Sequence, residues 1–200
     1  MRPDRPFKLR LVAAVLAPAM LAGCISFGAE PPPTLFNLTP TAMQPAGSGQ
    51  TTLAEQTLAV MDIEAPRKLQ VLRVPVQIDD ANIAYLQEAQ WVEVPTNLFA
   101  ALLAETIRTR GNRVVVETGE ARFAADTQLT GTLREMGYDA RTGSVVVRYD
   151  AVIRNENGVL RTQRFEASVP GVAAEAEFVA PALNQAANEV AVAVADWIGG

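Results

Sequence analysis

The sequence predicts an α+β fold: a largely antiparallel sheet with two long helices packed on one face, preceded by a leader and a tether. Three observations predict it. Apolar residues alternate at period two in several runs between residues 58 and 169. Two segments, 96–110 and 178–198, instead repeat apolar residues at helical spacing. The runs after residue 113 follow one another through short turns, which makes neighbouring strands antiparallel and leaves the helices to cover one side.

The leader, residues 1–23, opens on Arg2, Arg5, Lys8 and Arg10 and continues in an apolar stretch, Leu11 to Leu21, too short to span a bilayer comfortably. It ends in Leu21-Ala22-Gly23-Cys24, and Cys24 is the only cysteine. Small Ala22 and Gly23 leave the next bond accessible to a peptidase, so cleavage is expected between Gly23 and Cys24. The thiol then carries a diacylglycerol thioether, and the freed amine takes a further acyl chain. This is the lipobox pattern of a bacterial lipoprotein. One acyl chain anchors weakly, at about 0.8 kcal/mol per buried CH2, whereas two or three hold persistently. The alternatives are a secretory leader with an incidental cysteine, or a buried core cysteine. A lone cysteine makes no internal disulfide.

Four of the 17 basic residues and one of the 22 acidic ones precede Cys24, so the remainder carries 13 basic and 21 acidic residues, a balance of −8. Such an acidic chain, with Lys68 as its one lysine, is a poor partner for nucleic acid or for an anionic membrane surface. The anchor is expected to hold it to a membrane without crossing it, on the periplasmic side of a Gram-negative envelope. Ile25 follows Cys24 where an aspartate is the usual inner-membrane retention signal, which favours the outer membrane while leaving the inner one open.

Residues 24–56 hold Pro31-Pro32-Pro33, Pro40, Pro45 and Gly47-Ser48-Gly49 with almost no charge, and read as a tether. Within it, Thr34 to Leu38 alternates weakly, and is either a docked edge strand or two exposed hydrophobes. Residues 57–200 then make one domain, large enough to bury roughly two thirds of its surface. Leu58 to Ile63 is a strand ending at Ala65-Pro66. Val71 to Val76 contains Pro75, which demotes it to an edge or a bend. Asn82 to Leu86 follows the Asp79-Asp80 turn as a short strand. The first helix takes Thr96 as N-cap, presents Phe99, Leu102, Leu103 and Ile107 on one stripe, places Arg108 and Arg110 at its C-terminus and stops at Gly111. Strands follow at residues 113–117, 126–136, 144–154 and 159–169, with Asn155 to Gly158 as a hairpin turn. The last helix runs from about Phe178 to Ile198, with Phe178, Leu183, Ala186, Val190, Val194 and Trp197 on one side. Pro181 fits its first turn.

Catalytic patterns are not found. The sequence has no histidine, which excludes His-based triads and His-ligated metals, and lipidation consumes the one thiol. No nucleophile elbow, phosphate-binding loop or dinucleotide fingerprint is present. Asp79-Asp80 and Glu175 with Glu177 are carboxylate clusters of the kind that face solvent or cap helices, although pairs of this type also serve acid–base chemistry or calcium. The expectation is a protein that is not an enzyme, with no catalytic residues, no metal and no cofactor. Aromatic residues are the remaining candidates for a contact site. Tyr85, Trp91 and Phe99 cluster where a loop feeds the first helix, and Trp197 lies near the chain end; each either meets a partner or an acyl chain, or packs in the core.

The lipobox, the Pro-rich tether with Thr34-Leu-Phe-Asn-Leu-Thr-Pro40, Leu58-Ala-Val60, Ile83-Ala-Tyr-Leu86, Ala89-Gln-Trp91 before Pro95, and the Ala182-Leu-Asn-Gln-Ala186 helix with Trp197 together resemble the ABC-type transport auxiliary lipoprotein family, which includes the paraquat-inducible protein C-like lipoproteins. The resemblance implies a non-catalytic periplasmic component of a system with an ABC permease and ATPase and a mammalian-cell-entry (MCE) domain protein, moving phospholipids or similar molecules between the two membranes. It also implies a fold similar to the N-terminal domain of TolB. The Val71 to Pro75 stretch departs from the family by being longer and more apolar. A lipid-binding carrier is a second reading, in which Ala182, Ala186, Ala187, Ala191, Ala193 and Ala195 leave room for acyl chains; a structural envelope lipoprotein is a third. A homo-oligomeric ring is compatible with the pattern and not required by it.

Overall fold

The computed structural model describes residues 34–49, 57–110, 113–117 and 119–199, with the backbone alone at 121 and 122. The expected leader, Cys24, the first and last parts of the expected tether and the Gly111 helix stop lie outside them. Among the described residues are seven strands, β1 (Thr57–Glu64), β2 (Arg73–Gln77), β3 (Ile83–Gln90), β4 (Val114–Val116), β5 (Thr127–Asp139), β6 (Ser144–Asn155) and β7 (Leu160–Pro170). Two α-helices accompany them, α1 (Pro95–Arg110) and α2 (Ala176–Gly199).

The strands form one sheet organised on β5. Along one edge β5 pairs antiparallel with β6 from Thr127↔Asn155 to Asp139↔Ser144, and β7 continues outward antiparallel to β6. Its other edge is divided: β1 runs parallel to the first half, and β2 runs parallel to the end through Val76↔Tyr138 and Gln77↔Asp139. Beyond these lie β4, parallel to β1, and β3, antiparallel to β2. The sheet is therefore mixed rather than largely antiparallel. The β2–β3 hairpin and α1 separate β1 from β4 and β5, a connection long enough to bring the chain back in the same direction.

Pro75 does not make β2 an edge, because β3 and β5 flank it on both sides. The register of β2 against β3 shifts between Arg73 and Pro75, and pairing with β5 begins only at Val76, so the missing N–H of Pro75 is not called upon. Gly137 permits this approach: a Cβ there would lie 2.3 Å from the Pro75 carbonyl oxygen.

Alternation puts one face of β5 and β6 into the core. Leu129 and Leu133 point inward, then Arg134 is an extra residue opposite the Tyr149–Arg148 step, and inward parity switches to Met136 and Tyr138. Without that bulge the last two would face solvent. The covering layer is α1 and α2, which pack against each other and against the sheet. In α1 the expected stripe of Phe99, Leu102, Leu103 and Ile107 is buried. Thr96 is not its N-cap: the Val94 carbonyl receives the Asn97 and Leu98 N–H groups, and Pro95 occupies the first helical position, where its lack of an N–H costs nothing. In α2 the buried series Val179, Leu183, Ala186, Val190 and Val194 keeps the 3–4 spacing. Phe178 falls off this stripe and is half exposed, and Pro181 is the sixth helical residue rather than part of the first turn.

The segment assigned to the tether by composition joins the domain earlier than residue 57. The compact unit begins at residue 32, and residues 36–44 cross the helix layer as a strap. Phe36 forms a parallel bridge with Trp91, donating its N–H to Gln90 O at 2.7 Å and accepting from Val92 N–H at 2.9 Å. Further on, Thr39 and Thr41 donate their backbone N–H groups to the side-chain oxygens of Asn184 and Asn188 on α2. Gln44 then reaches α1, donating to Glu105 Oε1 and, from its side chain, to Arg108 O. The two helices are thus held between sheet and strap.

Candidate functional surface

The aromatic candidates separate by burial. Trp91 is 1% exposed, edge-on to Phe36 with ring centroids 5.5 Å apart, and its Nε1–H has no partner among the described residues. Phe99 is fully buried against the ring of Tyr149 at 5.2 Å, and Tyr149 donates its hydroxyl to Thr130 O. Burial pushes the Tyr149 hydroxyl well above its usual range. Trp91 and Phe99 are therefore core residues in this conformation. Tyr85 and Trp197 are half-buried: the Arg73 guanidinium lies 4.2 Å above the Tyr85 ring, and Trp197 packs edge-on to Phe165 with Arg161 over its other side.

The carboxylates build turns and ion pairs. Asp79 accepts from the N–H groups of Ala81 and Asn82 and from the Asn82 side chain, and those bonds, the Asn82 side chain first, hold it below the usual carboxylate range. Asp80 pairs with Arg141 at 2.5 Å. Glu175 offers its carbonyl to Phe178 and Val179 N–H at the start of α2, and Glu177 sits in the first turn, where a negative charge suits the dipole. Among the described residues no three acidic, histidine or cysteine side chains gather as a metal-ligating set. On the uncovered face of the sheet, Asp150 takes bonds from Arg164 at 2.6 Å and Arg134 at 2.8 Å, which hold its carboxyl far below the ordinary value, Arg164 contributing most. Beside it stand the pairs Arg148–Glu166 and Lys68–Glu135.

The alanines of α2 named for a carrier cavity pack closely instead. Ala186, Ala187 and Ala191 have no exposure, Ala182 and Ala195 join them in the core, and Ala193 faces solvent. No described helix is long and apolar enough to cross a membrane.

Exposed apolar side chains gather where the strap enters the sheet. The backbone bonds Phe36 N–H to Gln90 O, Val92 N–H to Phe36 O and Trp91 N–H to Leu72 O place three segments side by side. Phe36 and Trp91 point into the core, so their neighbours Leu35 and Val92 point out, 48% and 52% exposed; Val71 and Leu72 are exposed as well. Residues 65–78, which supply the latter two, carry Arg67, Lys68 and Arg73 and no acidic residue. Leu35 also borders an open cleft of about 750 Å³ between the strap, Glu88 and the first turns of α2. Glu88 has φ +53°, the only described non-glycine residue in that region, where β3 loops out of register with β2.

Sequence reasoning missed Asn184 and Asn188, whose side chains hold the strap. The available signal was two asparagines four apart on a helix rich in alanine and valine, Asn188 among its buried positions.

No curated protein matches the sequence. Among solved structures, the chain is similar to a protein from Xanthomonas campestris, with a TM-score of 0.68, 16% identity and coverage of 83% of this chain and 95% of that one. It is similar also to an uncharacterized protein, at TM-score 0.63 and 14% identity over 82% of this chain and 99% of that one. A PelC dodecamer from Paraburkholderia phytofirmans aligns more loosely, at TM-score 0.46 and 16% identity over 76% and 96%. The first two likenesses establish the fold. The family model for the ABC-type transport auxiliary lipoprotein component matches residues 36–195, a span that begins at the strap residue packed on Trp91 and ends near the close of α2. The chain belongs to the ABC-type transport auxiliary lipoprotein component family.

Proposed function

We propose that this protein is a non-catalytic accessory of an ABC-type lipid transport system, fixed to the periplasmic face of the outer membrane through an acylated Cys24 and docked on an MCE-domain protein with its permease and ATPase. One observation carries the reading. Leu21-Ala22-Gly23-Cys24 stands twelve positions before Phe36, where the match to the transport auxiliary family begins. Cleavage between Gly23 and Cys24 leaves residues 25–35, with three consecutive prolines, between the acylated cysteine and the matched segment. The fold likeness to the TolB N-terminal domain belongs to the same reading. So does the role of the domain as a rigid docking body, supported by a core in which helices, strap and sheet close on one another.

The test is an affinity pull-down of the tagged full-length lipoprotein from detergent-solubilised envelopes, with partners identified by mass spectrometry. The expected result is recovery of an MCE-domain protein together with its permease and ATPase. Recovery of the lipoprotein alone, with phospholipid bound in native mass spectra, overturns the accessory reading in favour of a carrier.

A further inference from the structure

We infer that the corner formed by Leu35, Val71, Val92 and Tyr85 is a membrane-contacting surface that seats the domain on the phospholipid headgroups of the bilayer holding Cys24; this rests on the anchor proposed above. The length and end point of the chain ahead of the domain identify the occupant. Nine residues separate Cys24 from Thr34, so the link reaches at most about 35 Å even if fully extended. Leu35, which follows directly on Thr34, is itself one of the exposed apolar side chains.

The composition of the corner suits an interface. Leu35, Val71 and Val92 supply apolar groups for the acyl boundary, and Tyr85 is an amphipathic ring of the kind that settles at headgroup depth. Arg67 and Arg73 flank them in the stretch 65–78, which is cationic in a chain that is otherwise acidic after Cys24. Each such charge near an anionic surface favours binding, within a Debye length. The Arg73 guanidinium stacks on Tyr85, which holds that charge beside the exposed apolar groups rather than free to sweep through solvent. Val71 and Leu72, exposed at this corner, thereby acquire a role that core packing does not give them.

Acylation blocks the only native thiol, so single cysteines are addressable in the full-length lipoprotein. Val71→Cys, Val92→Cys and, at the distant β6–β7 turn, Asn157→Cys would each be labelled with a fluorophore and the protein reconstituted into vesicles of phosphatidylethanolamine and phosphatidylglycerol carrying a spin-labelled lipid. Quenching several-fold stronger at 71 and 92 than at 157, and weakened when phosphatidylglycerol is omitted or when Val71→Asp is combined with the label at 92, is the expected result. Equal quenching at the three positions overturns the inference, as does shielding of 71 and 92 by a second copy or by a partner without quenching. Intact mass separates the two levels: acylated protein that shows no preferential quenching removes only this surface, whereas protein without acyl chains on Cys24 removes the anchor and this surface together.

Discussion

The two faces of the β5–β6 ribbon are made by the same strands and do opposite work. Toward the helices, Leu129, Leu133, Val147, Tyr149 and Ile153 are buried and continuous with α1, α2 and the strap. Away from them, Arg134, Arg148, Asp150, Glu166 and Arg164 form ion pairs at the surface. The covered face draws its stability from apolar area removed from water and from dispersion in close packing, both of which scale with the neighbours present. Exposed ion pairs gain little over hydration of the separate charges and are screened by salt. Stability should therefore be concentrated in the helix layer, leaving the bare face and the strap-side corner free to change or to meet other surfaces.

The comparison is broken most directly by emptying the covered face. Phe99→Ala removes the ring packed on Tyr149 beneath α1 and should lower unfolding free energy by about 3–5 kcal/mol in urea titrations. A loss below about 1 kcal/mol would mean that the helix layer contributes less than its burial implies.

An intermediate effect is expected at the strap. Asn188, 4% exposed, accepts from Thr41 N–H and donates to Thr39 O and Asn184 O. Asn188→Ala leaves those strap groups unpaired and should cost about 2 kcal/mol. Hydrogen exchange would locate the change: the Thr41 amide should lose protection while the β5–β6 amides keep theirs. Uniform loss across the sheet would show that strap and sheet unfold as one unit.

The smallest effect belongs to the bare face. Asp150→Asn should cost less than about 1 kcal/mol at pH 7, since the pairs with Arg164 and Arg134 stand near solvent. Those arginines depress the folded-state carboxyl below its unfolded value near 3.9, so its contribution is full above that pH and is lost progressively as pH falls through the depressed folded-state value. The gap between the two proteins should be full at pH 7, begin to shrink as pH falls through about 4 and close only below the depressed folded-state value; a gap that does not shrink in acid would assign the effect to packing instead of charge.

Several elements were legible from residue order alone because their signals are local. The α1 stripe, the Asn155–Gly158 turn and the alternation of β6 each depend on neighbours within a few positions. In the turn, Gly158 at φ +74° donates to Asn155 O, and the Asn155 side chain caps Val159. The parallel placement of β1 was not legible, because nothing in Leu58 to Ile63 distinguishes a parallel from an antiparallel neighbour. Nor was the interior position of β2, since a proline in a strand is tolerated there only because the register shifts and Gly137 makes room. The contact candidates divided for the same reason: an aromatic beside a helix has one sequence pattern whether it packs inward, as Trp91 and Phe99 do, or remains half-exposed, as Tyr85 and Trp197 do.

By itself the sequence determined the basic and then apolar N-terminal stretch with its Leu21-Ala22-Gly23-Cys24 motif, the α+β class and the family, since motifs, periodicities and turn residues are written in short stretches. Only the tertiary structure decided that the sheet is mixed, that residues 36–44 belong to the domain and which apolar side chains stay outside it. Those outcomes depend on groups far apart in the chain, such as Thr41 and Asn188 or Pro75 and Gly137, whose energies exist only once the fold brings them within contact.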